Sequence, residues 1–112
     1  MANRRRGEVA ATFGGAPYTL CLTLGALAEL EDRLGAEDLV SLGDRFARGR
    51  PRARDLLAVL AAALRGGGHA LTDDEVGALP LDGGVEALAQ TIADVLVAAF
   101  GGGGDPAHPP TR

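Results

Sequence analysis

Tryptophan and lysine are absent from this chain, cysteine and methionine occur once each, and the aromatics are three Phe and one Tyr. Each scarcity excludes something. The lone thiol, Cys21, has no second cysteine to pair with, so no intrachain disulfide is available and no oxidising compartment is needed. With 4% aromatic residues the core cannot rest on large rings; Ala and Leu must build it, which calls for closely packed helices. No apolar run approaches the roughly 20 residues of a membrane span, and "MANRRRGEVA" lacks the apolar stretch of a signal peptide. The expectation is a cytoplasmic protein with no membrane partner. A formal charge of −4 argues against a dedicated nucleic-acid binder, since phosphate neutralisation dominates such affinity. All eleven basic residues are Arg, which reads as the codon usage of a GC-rich bacterial genome.

What is present suffices for one domain of 112 residues with a modest core. "GEVAATFGGAPYTLCL" reads as a β-hairpin. Val9, Ala11 and Phe13 alternate on one strand and Tyr18, Leu20 and Leu22 on the other, with Gly14 to Pro17 as turn chemistry. A two-stranded ribbon is marginal alone, so it must pack on helices. Thr23 then caps a helix with Leu24, Leu27, Leu30 and Leu34 at helical spacing and Gly35 as its stop. A second helix is expected from Glu37 to Arg48, its stripe Leu39, Leu42 and Phe46. "ARDLLAVLAAALRGGG" is apolar on nearly all sides, so its helix, from Asp55 to Leu64, should be innermost. Thr72 and Glu75 form a capping box that opens a short helix, closed by Pro80. The last helix, from Leu81 or Gly83 to Phe100, stacks Val85, Leu88, Ile92, Val95 or Leu96, and Ala99. The expected fold class is α+β, mostly α: an N-terminal β-hairpin packed on a four- or five-helix bundle. Residues 1–6 form a flexible basic start, 7–100 a single domain, and 101–112 a disordered Gly/Pro tail.

No catalytic or metal constellation survives weighing. His69 and His108 lack companions at ligand spacing and read as exposed loop residues. Cys21 sits on a strand with no nearby base, as a small half-buried hydrophobe. The acids Asp73, Asp74 and Glu75 fit the first turn of a helix and not a calcium loop. No glycine cluster precedes the GK[ST] of a phosphate loop. The reading is a non-enzyme without cofactors, metal or small-molecule substrate.

One stretch offers two readings. "RFARGRPRARD" contains the Gly-Arg-Pro core of an AT-hook, whose arginines lie along an A·T-rich minor groove. The same letters can be the end of one helix and the start of the next, with Gly49 as stop and Pro51 at a helix entry. The motif is single, flanked by helical segments, and set in an acidic chain. The interhelical turn is preferred, and a small DNA-binding protein stays as the alternative.

The order of "GEV", "PYTL", "LAELEDRLG" and "LRGGG…DEVG" resembles the small tail proteins of gene transfer agents and related phages, over residues 3 to 100. That group is placed with siphophage tail assembly chaperones or, in some naming, with tail tube proteins. The resemblance implies a non-enzymatic tail morphogenesis factor, prophage-like in origin. Its implied partners are the tape measure protein and/or the major tail protein, with self-association possible. A structural tail tube component is the alternative, and should be β-rich and ring-forming. Relatives carry Glu near Ala26, where it would complete a capping box with Thr23, and a charged residue where Cys21 stands. If the target is a helical tape measure, the Ala-rich helices offer apolar grooves. Leu56, Leu57, Leu60, Leu64, Leu88, Ile92 and Leu96 are then the partner-binding candidates, with Arg48, Arg50 and Arg52 as rim charge.

Overall fold

Alternation in the first strand and two glycines after it make the hairpin. A computed structural model describes residues 7–35 and 52–99. Strands β1 (Glu8–Phe13) and β2 (Ala16–Cys21) pair antiparallel, with Val9 opposite Leu20 and Phe13 opposite Ala16. The connection is tighter than the four residues expected. Gly14 and Gly15 alone turn the chain, at φ 61° and 82°, while Ala16 and Pro17 already belong to β2. Positive φ at both turn residues matches the twist of the flanking strands, and glycine adopts it without strain. The two carboxylate oxygens of Asp82 accept the Gly14 and Gly15 N–H groups at 3.0 Å each, tying the turn to the far end of the chain.

Four helices follow among the described residues. Helix α1 (Leu24–Leu34) opens on Thr23, whose hydroxyl accepts the Ala26 N–H, and ends at Gly35 with φ 86°. Thr23 therefore caps without the reciprocal Glu. Leu30 is buried and Leu27 and Leu34 half-buried, but Leu24, placed in the stripe by its spacing, is 84% exposed in the first turn. Helix α2 (Ala53–Gly66) is the centre: it buries Leu56, Ala58, Val59, Leu60, Ala61, Ala62, Ala63 and Leu64, and packs against α1, β2 and two later helices. Ala58, Ala61, Ala62 and Ala63, all buried, let those neighbours approach closely. The short α3 (Asp73–Gly77) carries the expected capping box: Thr72 accepts the Glu75 N–H at 3.1 Å, and Glu75 accepts the Thr72 N–H at 2.8 Å. Helix α4 (Gly84–Ala99) buries Leu88, Ile92, Val95 and Leu96 against β1 and α2. Val85, expected on that face, is 59% exposed, because in the first turn of α4 it borders an open groove and not the core.

The end of α2 meets β2 backbone to backbone. A Cβ on Gly66 would lie 2.0 Å from the Cys21 carbonyl oxygen, and one on Gly67 1.9 Å from that of Thr19. Beyond this contact the chain crosses the edge of β2. His69, read as an exposed loop residue, is half-buried there: Nε2 accepts the Thr19 N–H at 3.1 Å, and the ring stands edge-on to Tyr18 at 5.0 Å. The correction is tertiary in origin, since the glycine break delivers the imidazole to an unpaired strand amide. Cys21, at the end of the same strand, is buried as a small hydrophobe.

An ionic cluster joins three helices. Arg65, in the last turn of α2, donates to Glu29 of α1, to Asp73 of α3 at 3.3 Å and to the Leu71 carbonyl at 2.9 Å. Arg33 bridges the same acids, 3.8 Å from Glu29 and 3.3 Å from Asp73. The hydrogen bond to Glu29 holds the Arg65 guanidinium pKa above its ordinary value, with burial acting against it. A raised pKa keeps the group charged at all pH values below the usual arginine range, so the guanidinium stays ionised wherever the fold is measured. Arg65→Met keeps the packed stem and removes the hub. It should cost roughly 1–2 kcal/mol, discounted because about a third of the side chain meets water. Urea titrations at low and high salt check it: the difference from wild type should shrink as salt rises.

The expected helix from Glu37 to Arg48, the run Arg4 to Arg6, Pro51, His108 and the tail from Gly101 lie outside the described residues.

Candidate functional site

Among the described residues, one face of α2 remains open. Ala53, Leu56, Leu57 and Leu60 recur at helical spacing along it, and α3 sets Val76 and Gly77 opposite. Leu79 and Leu81, from the link to α4, close one side, and Val85 and Leu88 of α4 complete the wall. The result is an open groove of about 460 Å³ whose lining, among the described residues, is aliphatic side chains and glycine, with no polar side chain. Gly77 leaves it wide, since a Cβ there would meet only Leu57 Cδ1, at 4.0 Å. At the rim, Leu81 and Val85 are 40% and 59% exposed. Exposed aliphatics contiguous with an apolar cleft mark a surface made to be covered.

The structure divides the seven partner-binding candidates. Leu56, Leu57, Leu60 and Leu88 line the groove. Leu64, Ile92 and Leu96 do not reach it: they are buried in the core, where α2, α4 and the hairpin meet. Periodicity placed all seven on apolar faces, but neighbouring elements of the same chain cover three of them. Arg52 stands exposed as the residue preceding α2, beside the groove's Ala53, and pairs with Asp55 at 3.6 Å. Arg48 and Arg50 lie outside the described residues. The sequence reading missed Val76, Leu79, Leu81 and Val85. Its available signal was "LPLDGGV", aliphatic residues in a Pro/Gly-rich connection that gives them no helix face of their own.

Among the described residues no group of His, Cys, Asp and Glu is arranged to hold a metal ion, and no helix is long and apolar enough to cross a membrane. What the site offers chemically is apolar contact.

Residues 6–102 match the family model described as phage tail tube protein, GTA-gp10. The chain belongs to that family. The match spans the hairpin, all four described helices and every residue of the groove, so this GTA-gp10 family protein is a phage-like tail component over its whole described fold. No curated protein and no solved structure matches the chain significantly. The family description names a tube protein, yet the only sheet among the described residues of this member is a two-stranded hairpin.

Proposed function

We propose that this tail component is a non-enzymatic assembly chaperone that holds a helical segment of the tape measure protein in the groove between α2, α3 and α4. The open aliphatic groove carries this reading. A long helical protein awaiting enclosure by tube subunits exposes apolar stripes, and an amphipathic helix docks such a stripe into a groove through anchors at i, i+3, i+4 and i+7. Leu57 and Leu60 on one wall, with Val85 and Leu88 on the other, supply the receiving surface. Arg52, at one end, acts as rim charge, tuning association rate and salt dependence more than affinity. Such holding takes place in the cytoplasm, before the tube closes.

The test is co-expression with the tape measure protein. Val85→Glu with Leu57→Glu should leave the tape measure insoluble, while Leu24→Glu, equally a surface change but far from the groove, should keep it soluble. Circular dichroism of each variant alone controls for folding. A groove variant that is folded and still solubilises the tape measure refutes this reading.

A second reading, a structural subunit retained in the tail, is favoured by the family description. Its mark is the chain's presence in purified particles and its assembly into rings on a sizing column.

A further inference from the structure

The hairpin has two outer edges, and the fold treats them differently. On β2 the outward groups are covered. Thr19 donates its N–H to His69, the Gly66 and Gly67 backbone lies against the carbonyl oxygens of Cys21 and Thr19, and Pro17 has no N–H to offer. Because Thr19 donates away from β1, it and its partner Ala10 form a non-hydrogen-bonded pair. The N–H and C=O of Ala10 therefore point away from β2, and the two-residue period puts those of Thr12 there as well. Among the described residues no group hydrogen-bonds these outward amides and carbonyls, and both residues are exposed. The β1 sequence "EVAATF" carries a single charge, at its first residue Glu8, but neither Pro nor Lys, and its register with β2 runs without a bulge. Beside it an open cleft of about 200 Å³ separates β1 from the start of α4. Ala11, Thr12, Ala87 and Thr91 are in its wall, and no β2 residue is.

We propose that the edge of β1 at Ala10 and Thr12 joins two copies of this chain, fusing their hairpins into one four-stranded antiparallel sheet about a two-fold axis at Ala10. The register is self-complementary. Ala10 faces Ala10 of the second copy and exchanges both hydrogen bonds with it, while Glu8 faces Thr12 in each direction. Glu8 is the only charged residue on β1, and this register keeps it away from its own counterpart. Side-chain parity is also preserved: Val9, Ala11 and Phe13 of both copies stay on the helix-covered face. The small side chains Ala87 and Thr91 leave the flank of β1 open for the incoming strand. This pairing does not depend on what occupies the groove.

Sedimentation of the full chain over a concentration series should show a reversible dimer, with amide exchange at Ala10 and Thr12 slowing as it fills. Ala10→Pro removes the outward donor without touching a β1–β2 hydrogen bond, as Pro17 does on the other strand. It should weaken dimerisation about tenfold or more while the circular dichroism spectrum is kept. Ala10→Lys and Ala10→Glu each set like charges opposite one another at the axis; each alone should be monomeric, and an equimolar mixture should dimerise again. That rescue holds even if the proline variant fails to fold. A wild-type chain that is monomeric at its highest soluble concentration, or a dimer indifferent to all three substitutions, overturns the proposal. Protection of the Ala10 and Thr12 amides only on adding another tail protein overturns it too, assigning the edge to that partner.

Discussion

Gly67→Ala should unfold this protein or leave it barely folded at room temperature, and Gly66→Ala should do nearly as much. Ordinary reasoning about glycine points the other way, because an alanine in or just after a helix usually costs nothing. Here the obstacle is contact. The new methyl carbon would sit 1.9 Å from the Thr19 carbonyl oxygen at position 67, or 2.0 Å from the Cys21 oxygen at position 66. Neither oxygen can swing aside as the tip of a side chain does, since both belong to the paired strand β2. Relief requires α2 and β2 to separate, and α2 is the element on which the rest of the core is packed. The expected loss is about 4 kcal/mol or more, comparable with the whole stability of a small domain. Gly25→Ala is the internal control. That glycine is helical, a Cβ there would meet only the Thr23 hydroxyl oxygen, at 3.9 Å, and its replacement should stabilise by up to about 1 kcal/mol. Urea midpoints measure both. A wild-type midpoint for Gly67→Ala would mean that the two backbones do not touch.

Leu64→Ala should cost about 3 kcal/mol, whereas Leu57→Ala should cost about 1 kcal/mol or less. Both are leucines of α2, two turns apart on the same helix face, and sequence alone gives no reason to separate them. Leu64 is fully buried, in contact with the core, and its truncation leaves a cavity that the surrounding alanines are too short to fill. Leu57 is half-buried on the groove wall, so truncation merely widens a space already open. Thermal melts of the two variants, with tape measure co-expression beside them, dissociate the roles: Leu64→Ala should act on the chain by itself, and Leu57→Ala, on the proposed reading, on the solubility of the tape measure. Equal destabilisation by both would place Leu57 in the core and remove the groove from consideration.

Much of the fold was legible because its causes are local. The alternation of Val9, Ala11 and Phe13, the Thr72 and Glu75 box and the all-round apolarity of α2 each act within a few residues, and each appears in the structure as expected. The groove was legible only by halves. Periodicity announces an apolar face on α2 and α4, but what covers that face depends on how the elements are placed. Leu60 and Leu64 are therefore alike in sequence and differ in setting. Val76, Leu81 and Val85 enter the wall through the path of the chain around Pro80 and Asp82, which no spacing rule encodes. His69 and the Gly66–Gly67 contact were illegible for the same reason. Both are partners of β2, some fifty residues back along the chain, and become meaningful only once β2 has a register.

A wall whose described side chains are all aliphatic has a further consequence. With no hydrogen-bonding or charged side chain among the described residues of its wall, the groove discriminates chiefly by the shape of what it holds. A single methylene more or less is worth only about 1–3 kcal/mol in such a pocket. Many segments of one long, repetitive helical protein would therefore fit almost equally well. Copies of the chain would coat such a partner along its length and not cap it at one address. The saturating stoichiometry would then scale with the partner's length, and its sequence would be free to drift wherever the spacing of its apolar residues is kept.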